Sequence, residues 1–202
     1  MKTLFIPVKS NLKIDLSKVD FKKLPKNLAV AYSIQYKDLA EKIKELIKPI
    51  FFTQVLGCSK PNFPKNTKAI LLISDGKFHA ISLAYESKLP VYLFNKGNIE
   101  KISEKEIEIF SKKQKGAYLK FLNAEKVGIL VSTKPGQENL EKAINLKKKI
   151  KNKSSYLFIS NNIDTNEFEN FSEIQSWINT SCPRLDMSIN SVINMDKLLT
   201  KF

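Results

Sequence analysis

Short apolar runs alternate along this chain with longer segments of helical periodicity. Eight runs have the length of β-strands and span residues 3–8, 28–34, 50–56, 69–74, 91–95, 127–132, 155–160 and 175–181. Helical periodicity fills 37–48, 77–87, 103–122 and 138–152, with shorter helical stretches near 165–170 and 195–200. Continuous apolar strands between amphipathic helices are typical of parallel sheets covered on both faces. The pattern therefore predicts an α/β fold with mainly parallel sheets flanked by helices.

The long helical segment at 103–122 divides this pattern into two halves. It opens with Ser103 followed three residues later by Glu106, a capping-box pattern that marks a helix start. We therefore predict two small α/β lobes, one at 1–116 and the other at 117–202, with this helix as the connector.

The net charge of +14 is unevenly distributed. Residues 1–153 carry 31 lysines against 14 acidic residues, whereas residues 154–202 carry three basic against six acidic residues. The lysines recur on the polar faces of the predicted helices, and no aromatic-rich RNA motif accompanies them. The distribution favours solvated helix faces over a nucleic-acid groove, so a basic RNA-binding protein is the least favoured functional hypothesis.

The N-terminal residues lack the apolar core and cleavage site of a secretory signal, and no run of 18 apolar residues is present. Two cysteines do not make a disulfide framework, which favours reduced thiols. We therefore expect a cytoplasmic protein with no membrane segment.

Polar or reactive side chains follow five of the predicted strands. In open parallel sheets, ligands bind outside the carboxyl ends of the strands, so these side chains form the candidate site. They are Gln35 and Tyr36; Gln54, Gly57, Cys58 and Ser59; Asp75, Gly76 and His79; Thr133, Lys134, Gly136 and Gln137; and Cys182 and Arg184. Each has an ordinary structural explanation when it is taken singly, such as a turn glycine, a packing histidine or a buried cysteine.

The two cysteines are more informative together, because one falls at a strand end in each predicted lobe. Lobes that face each other across a cleft would bring both thiolates to one centre. The separation of Cys58 and Cys182 matches no zinc motif, which uses closely spaced ligands. Iron–sulfur clusters accept scattered ligands but normally need three or four thiolates. The residues alone therefore predict a two-lobed α/β protein with a candidate thiolate site.

Four ordered motifs resemble those of archaeal diphthamide synthase, the 2-(3-amino-3-carboxypropyl)histidine synthase family. They are QVLGCS (54–59), SDGKFHAISLAY (74–85), VGILVSTKPGQ (127–137) and INTSCPRLDM (178–187). The resemblance extends over nearly the whole chain, from about residue 3 to about residue 197, with both cysteines in place.

The resemblance implies a specific chemistry. Members of that family have three similar α/β domains, each of which contributes one cysteine to a [4Fe–4S] cluster. The cluster binds S-adenosylmethionine at its open iron and, when reduced, generates a 3-amino-3-carboxypropyl radical. That radical adds to the imidazole of one histidine in translation elongation factor 2, which is the first step of diphthamide formation.

The resemblance also implies roles for individual residues of this chain. Cys58 corresponds to the cluster ligand of the second domain and Cys182 to that of the third. The implied cofactor-binding residues are Gln54, Gly57, Asp75, Gly76, His79, Thr133, Lys134, Gly136, Gln137 and Arg184, and the implied catalytic residues beside the cysteines are Arg184 and Asp186. Arg184 is the single arginine among 34 basic residues. We expect it to hold a carboxylate with its planar guanidinium or to order Asp186.

The chain departs from the family in one large respect, because the resemblance begins at the second domain. We expect a separate chain to supply the first domain and the third cysteine, with a reductant as a further partner, which makes this a subunit of a split enzyme. The alternatives are a scaffold or electron-relay subunit that does not catalyse and, least favoured, a fragment of a longer chain.

Overall fold

Buried strands form the centres of two separate sheets. The computed structural model describes residues 3–4, 6–56, 60–187 and 191–199. It divides into two compact units, Met1–Ile109 and Phe110–Phe202, and each unit contains one sheet. Helices flank the mainly parallel strands, so the predicted fold class is confirmed.

The first unit contains a five-stranded sheet in the order β2-β1-β3-β4-β5. The first four of these strands are parallel and only the edge strand β5 is antiparallel. The elements are β1 (Leu28–Tyr32), α1 (Lys37–Ile47), β2 (Phe51–Gln54), β3 (Ala69–Ile73), α2 (Lys77–Ser87), β4 (Val91–Asn95) and β5 (Asn98–Lys101).

The two central strands of this sheet, β1 and β3, are buried along their whole length. One face packs against α1, which contributes Ala40 and Ile43, and the other packs against α2, which contributes Ala80, Leu83 and Ala84. Because both faces are covered, the strands have no polar side, which explains their continuous apolar sequences.

The second unit contains a four-stranded, wholly parallel sheet in the order β7-β6-β8-β9. Its strands are β6 (Lys126–Ser132), β7 (Ser154–Ser160), β8 (Ser176–Asn179) and β9 (Val192–Asn194), and its helices include α4 (Leu140–Lys149) and α5 (Met195–Leu199). A 3-10 helix at Thr165–Phe171 stands where a short helical stretch is predicted.

Helix α3 (Glu104–Asn123) crosses the division between the units. Its start is confirmed as a capping box, since the Ser103 N–H donates to the Glu106 carboxylate at 2.9 Å and the Glu106 N–H donates to Ser103 Oγ at 3.3 Å. The predicted boundary between residues 116 and 117 lies further along the same helix.

The structure differs from the strands predicted by periodicity in three places. The described residues of the predicted strand at 3–8 belong to no sheet, and Leu4, Ile6 and Val8 are exposed. Strand β5 was not predicted because its residues are mostly polar and it pairs through a tight turn at Lys96 and Gly97, both with positive φ. Strand β9 was not predicted because it has only three residues.

None of the helices in the described part of the chain combines the length and the apolar character needed to cross a membrane.

A glycine in β6 supports the packing of the only tryptophan. A Cβ atom at Gly128 would lie 2.4 Å from Cε3 of Trp177, on the neighbouring strand β8. The Trp177 ring also stacks on Phe168 and meets Phe158 edge-on. The ring is 3% exposed and packs within this aromatic cluster, so an added methyl group would force several rings to shift.

We predict that Gly128→Ala destabilises the second unit by about 2–3 kcal/mol, because the added methyl group overpacks the Trp177 contact. The measurement is chemical denaturation followed by tryptophan fluorescence. The matched control is Gly116→Ala in α3, where a Cβ meets open space. That change should stabilise the helix by roughly 0.5–1 kcal/mol. Equal effects of the two substitutions would contradict the packing argument.

Candidate functional site

The first sheet changes its direction of winding between β1 and β3. The chain moves outward from β1 to β2 on one side and from β3 to β4 on the other. The loops that follow β1 and β3 therefore diverge, which leaves a crevice above their carboxyl ends where ligands bind in open α/β sheets. The predicted site residues Asp75, Gly76 and His79 follow β3, so the structure places them at this crevice.

Two buried serines join the strand ends at the crevice. Ser33 follows β1 and Ser74 follows β3, and Ser33 Oγ donates to Ser74 Oγ at 2.9 Å. Ser74 Oγ in turn lies 3.2 Å from Nδ1 of His79, in the first turn of α2. The imidazole is thus oriented by a hydrogen bond, and its placement at a helix start is confirmed.

Asp75 is fixed through both its side chain and its backbone. The hydroxyl of Tyr36 donates to the Asp75 carboxylate, and the side-chain amide of Asn95, at the end of β4, donates to the Asp75 carbonyl oxygen at 2.9 Å. Tyr36 is only 6% exposed. Burial, together with the neighbouring Asp75 carboxylate, raises the pKa of Tyr36 to about 12. Tyr36 therefore remains a hydrogen-bond donor at neutral pH.

Gly76 caps the N-terminus of α2 with an extended backbone, φ −134°. A Cβ atom at this position would meet open space. Neither the backbone conformation nor the described neighbours of Gly76 require a glycine here. The position is open to the close approach of another group.

Two predicted site residues of the first unit, Gly57 and Cys58, lie outside the described residues, as does their neighbour Ser59. Gln54 is the last residue of β2 and is exposed. It lies opposite Tyr32 at the end of β1, so it belongs to the same edge of the sheet as Ser33.

The second sheet has an equivalent change of winding between β6 and β8. The loop 133–139 follows β6, and Thr180 to Cys182 follow β8. The side-chain amide of Asn139 donates to the Thr180 carbonyl oxygen at 2.8 Å and so connects the two loops. Four predicted residues of the first loop, Thr133, Lys134, Gly136 and Gln137, are brought to this edge with Cys182.

The family resemblance implies that the loop after β6 offers backbone N–H groups at a helix start to a carboxylate, and the structure differs from this in detail. Helix α4 begins at Leu140, and the Leu140 N–H donates to the Glu138 carboxylate at 2.8 Å. The Gln137 N–H donates to the Lys134 carbonyl oxygen at 3.0 Å in a turn that uses the positive φ of Gly136. The chain's own carboxylate and carbonyl groups therefore accept from two of the N–H groups expected to face a ligand.

Cys182 is a free, half-buried cysteine three residues after the end of β8. It precedes a 3-10 helix, Pro183–Met187, which carries the exposed Arg184 and also contains Asp186, whose side chain lies outside the described part of the structure. Within the described ranges, no group of three or more His, Cys, Asp or Glu side chains is placed to hold a metal ion.

Sequence reasoning missed the residues that support these positions. Ser33, Ser74 and Asn95 escaped notice because small polar residues at strand ends are common. Asn179 and Asn194 are buried at the ends of β8 and β9 and hold the Cys182 loop through hydrogen bonds. The available signal was an amide residue at the end of an otherwise apolar strand.

The fold and the polar strand ends define an α/β protein whose two units each present candidate binding residues at the winding change of an open sheet. The family model for diphthamide synthesis proteins matches residues 1–192. The chain belongs to this family.

Individual relatives agree with that assignment. The 2-(3-amino-3-carboxypropyl)histidine synthase of Methanocaldococcus jannaschii is 32% identical over 79% of this chain and 46% of the relative. Subunit 1 of the synthase of Schizosaccharomyces pombe is 28% identical over 93% of this chain and 49% of its own length. The chain spans about half the length of these curated relatives.

The crystal structure of Dph2 from Pyrococcus horikoshii has the same fold, with a TM-score of 0.75 and 24% identity. The match covers 89% of this chain and 58% of that chain. A second crystal structure of that protein, which contains a 4Fe-4S cluster, gives the same TM-score.

We predict that ultraviolet titration of tyrosinate will show one of the six tyrosines ionising near pH 12, and that Tyr36→Phe removes this component. The pKa of Tyr36 is raised above its usual value of 10.0. The tyrosine therefore contributes stability that is complete below about pH 10 and is lost as the pH rises through about 12.

The control for this titration is Tyr156→Phe in β7, where the ring is exposed. That substitution should leave the highest-pH component in place. If Tyr36→Phe leaves the titration curve unchanged at high pH, burial and the Asp75 carboxylate do not raise the pKa of Tyr36.

Proposed function

We propose that this chain is a subunit of a split iron–sulfur enzyme of diphthamide biosynthesis. The enzyme transfers the 3-amino-3-carboxypropyl group of S-adenosylmethionine to a histidine of translation elongation factor 2. The observation that carries this proposal is the position of Cys182, a half-exposed thiol at the winding change of a sheet whose fold matches Dph2. Dph2 from Pyrococcus horikoshii has been crystallised with a 4Fe-4S cluster.

The donor set of this chain fits part of such a cluster. Thiolates are the preferred ligands of iron–sulfur clusters, and Cys182 is a free thiol that incoming iron can reach. The chain has two cysteines in total. Clusters of this kind normally need three or four thiolates, so a partner chain supplies at least one more ligand. When bound, the cluster supplies the electron that cleaves the carbon–sulfur bond of S-adenosylmethionine.

The residues of this chain bind and orient the reactants. Arg184 follows Cys182 by two residues and is exposed, and a planar guanidinium matches the geometry of a carboxylate such as that of the methionine moiety. Lys134 and Gln137 flank the same edge of the sheet and offer further polar contacts. In the first unit, Asp75 and His79 are held by their hydrogen bonds in fixed directions, which suits recognition of a substrate group.

The remaining partners follow from the incomplete ligand set and the chemistry. This chain has two cysteines, and we propose that a separate chain supplies the further thiolate that a cluster needs. A reductant delivers the electron, and the reaction takes place in the cytoplasm, where elongation factor 2 works. An alternative within the same complex is a scaffold or electron-relay subunit that leaves catalysis to its partner.

We expect anaerobic purification from the source cell to yield this chain together with iron and a second chain that carries a cysteine. In that complex, Cys58→Ala and Cys182→Ala should each abolish the transfer of the aminocarboxypropyl group, because each removes a cluster ligand. The measurement is mass spectrometry of elongation factor 2 together with iron quantification.

The matched control is Ser176→Ala in β8, because Ser176 is buried and its hydroxyl makes no hydrogen bond within the described structure. This variant should retain full transfer activity. If both cysteine variants retain activity while omission of the whole chain abolishes it, the chain is an accessory subunit and the catalytic proposal fails.

A further inference from the structure

Two buried asparagines lie side by side at the ends of β8 and β9. Asn179 and Asn194 are the last residues of these strands and lie directly opposite each other in the parallel ladder. They are 2% and 4% exposed. The amide nitrogen of Asn179 donates to Oδ1 of Asn194 at 2.6 Å. We refer to these two residues as the asparagine pair.

The asparagine pair also holds the backbone of three consecutive residues in the Cys182 loop. Asn179 Nδ2 donates to the Cys182 carbonyl oxygen at 2.8 Å, and Asn179 Oδ1 accepts from the Ser181 N–H at 3.0 Å. Asn194 Nδ2 donates to the Pro183 carbonyl oxygen at 2.9 Å. The buried amides therefore hold the carbonyl group of Cys182 itself, the N–H group of the residue before it and the carbonyl group of the residue after it.

An amide pair is unusual at these positions. The preceding residues of the two strands, Ile178 and Ile193, belong to the apolar core and are at most 1% exposed. Burying an amide group is unfavourable unless its hydrogen-bonding capacity is used. Here three of the hydrogen bonds of the pair go to residues 181–183 of one loop. An apolar pair would fill the same space in the core but would leave the Cys182 backbone without these partners.

We propose that the asparagine pair is a positioning element for Cys182. The pair sets the direction in which the Cys182 thiol points at the edge of the sheet. This inference rests on the proposed function, in which Cys182 is a cluster ligand. Metal ligation demands ligand distances within about 0.2 Å of ideal values, and loops meet that demand only when supporting residues fix them. Pro183 also restricts the backbone conformation of Cys182, because a proline limits the residue that precedes it.

The first test measures the alkylation of Cys182 in the full chain without a cluster. Mass spectrometry after iodoacetamide treatment separates the Cys182 and Cys58 peptides, so Cys58 in the other unit serves as an internal reference. We expect Asn194→Ala to change the alkylation rate of Cys182 by about fivefold to tenfold and to leave the alkylation rate of Cys58 unchanged. The loss of one buried hydrogen bond shifts the equilibrium between the closed and the locally opened loop by about that factor.

Two further variants separate positioning from general stability. Thr180→Val removes one buried hydrogen bond at the end of the same strand, from Thr180 Oγ1 to the Leu130 carbonyl oxygen at 2.7 Å, and leaves the bonds to residues 181–183 intact. It should not change the Cys182 rate. The double variant Asn179→Leu with Asn194→Leu keeps an apolar, filled core, so it should fold and still show the changed rate.

The second test measures iron retained against a chelator, and the spectrum of the reduced cluster, in the anaerobically purified complex. Removal of residues that orient metal ligands typically weakens metal binding about 10- to 100-fold. We therefore expect the asparagine variants to lose iron faster than Thr180→Val and to show an altered spectrum.

The outcomes of these two tests are distinguishable. If Cys182→Ala loses iron while the asparagine variants keep the wild-type iron content, spectrum and alkylation rate, the positioning role is overturned and the proposed function stands. If Cys182→Ala keeps its iron and activity, the proposed function fails, and the role of the pair toward a cluster fails with it. If Thr180→Val changes the alkylation rate of Cys182 as much as Asn194→Ala does, the effect comes from a general loss of stability. That result would also overturn the positioning role.

Discussion

The backbone groups at the end of a parallel strand lose their ladder partners at the edge where the loops begin. Unpaired polar groups at a buried edge are unfavourable, so side chains there must supply the missing hydrogen bonds. In this protein the side chains of Ser33, Asn179, Thr180 and Asn194 meet that need. In each sheet the winding changes at this same edge and leaves a crevice there. The side chains that hydrogen-bond to the backbone at the strand ends therefore also lie beside the crevice. The position of the candidate site and the completion of the sheets thus have one physical origin.

This constraint explains what sequence reasoning predicted and what it missed. The buried strands β1 and β3 were evident because both of their faces are apolar, and the capping box of α3 was evident because it depends on two residues three apart. The segment 3–8 has the same apolar character but belongs to no sheet in its described part. Periodicity reports which residues can form a strand, whereas the presence of a partner strand depends on the fold.

The candidate site shows the same limit. Cysteine and arginine are chemically distinctive, so Cys182 and Arg184 were selected from the sequence, whereas the support of Cys182 comes from Asn194, twelve residues further along the chain. Asn194 donates to the carbonyl oxygen of Pro183, next to Cys182, and reaches it only because β8 and β9 are paired. Tyr36 and Asp75 are 39 positions apart and meet because β1 and β3 are neighbours. Single-sequence reasoning could locate the reactive groups but not the pairs that orient them.

The two sheet edges use different kinds of hydrogen-bonding group. The first relies on ionisable partners, with Tyr36 donating to the Asp75 carboxylate and Ser74 beside the imidazole of His79. The hydrogen bonds there depend on protonation, which suits contact with a polar substrate group. The second edge holds Cys182 with the neutral amides of Asn179 and Asn194. Neutral donors keep their geometry across pH and add no net charge beside a thiolate. The cluster-ligand role that we propose for Cys182 requires a thiol of fixed position, which neutral partners of this kind favour.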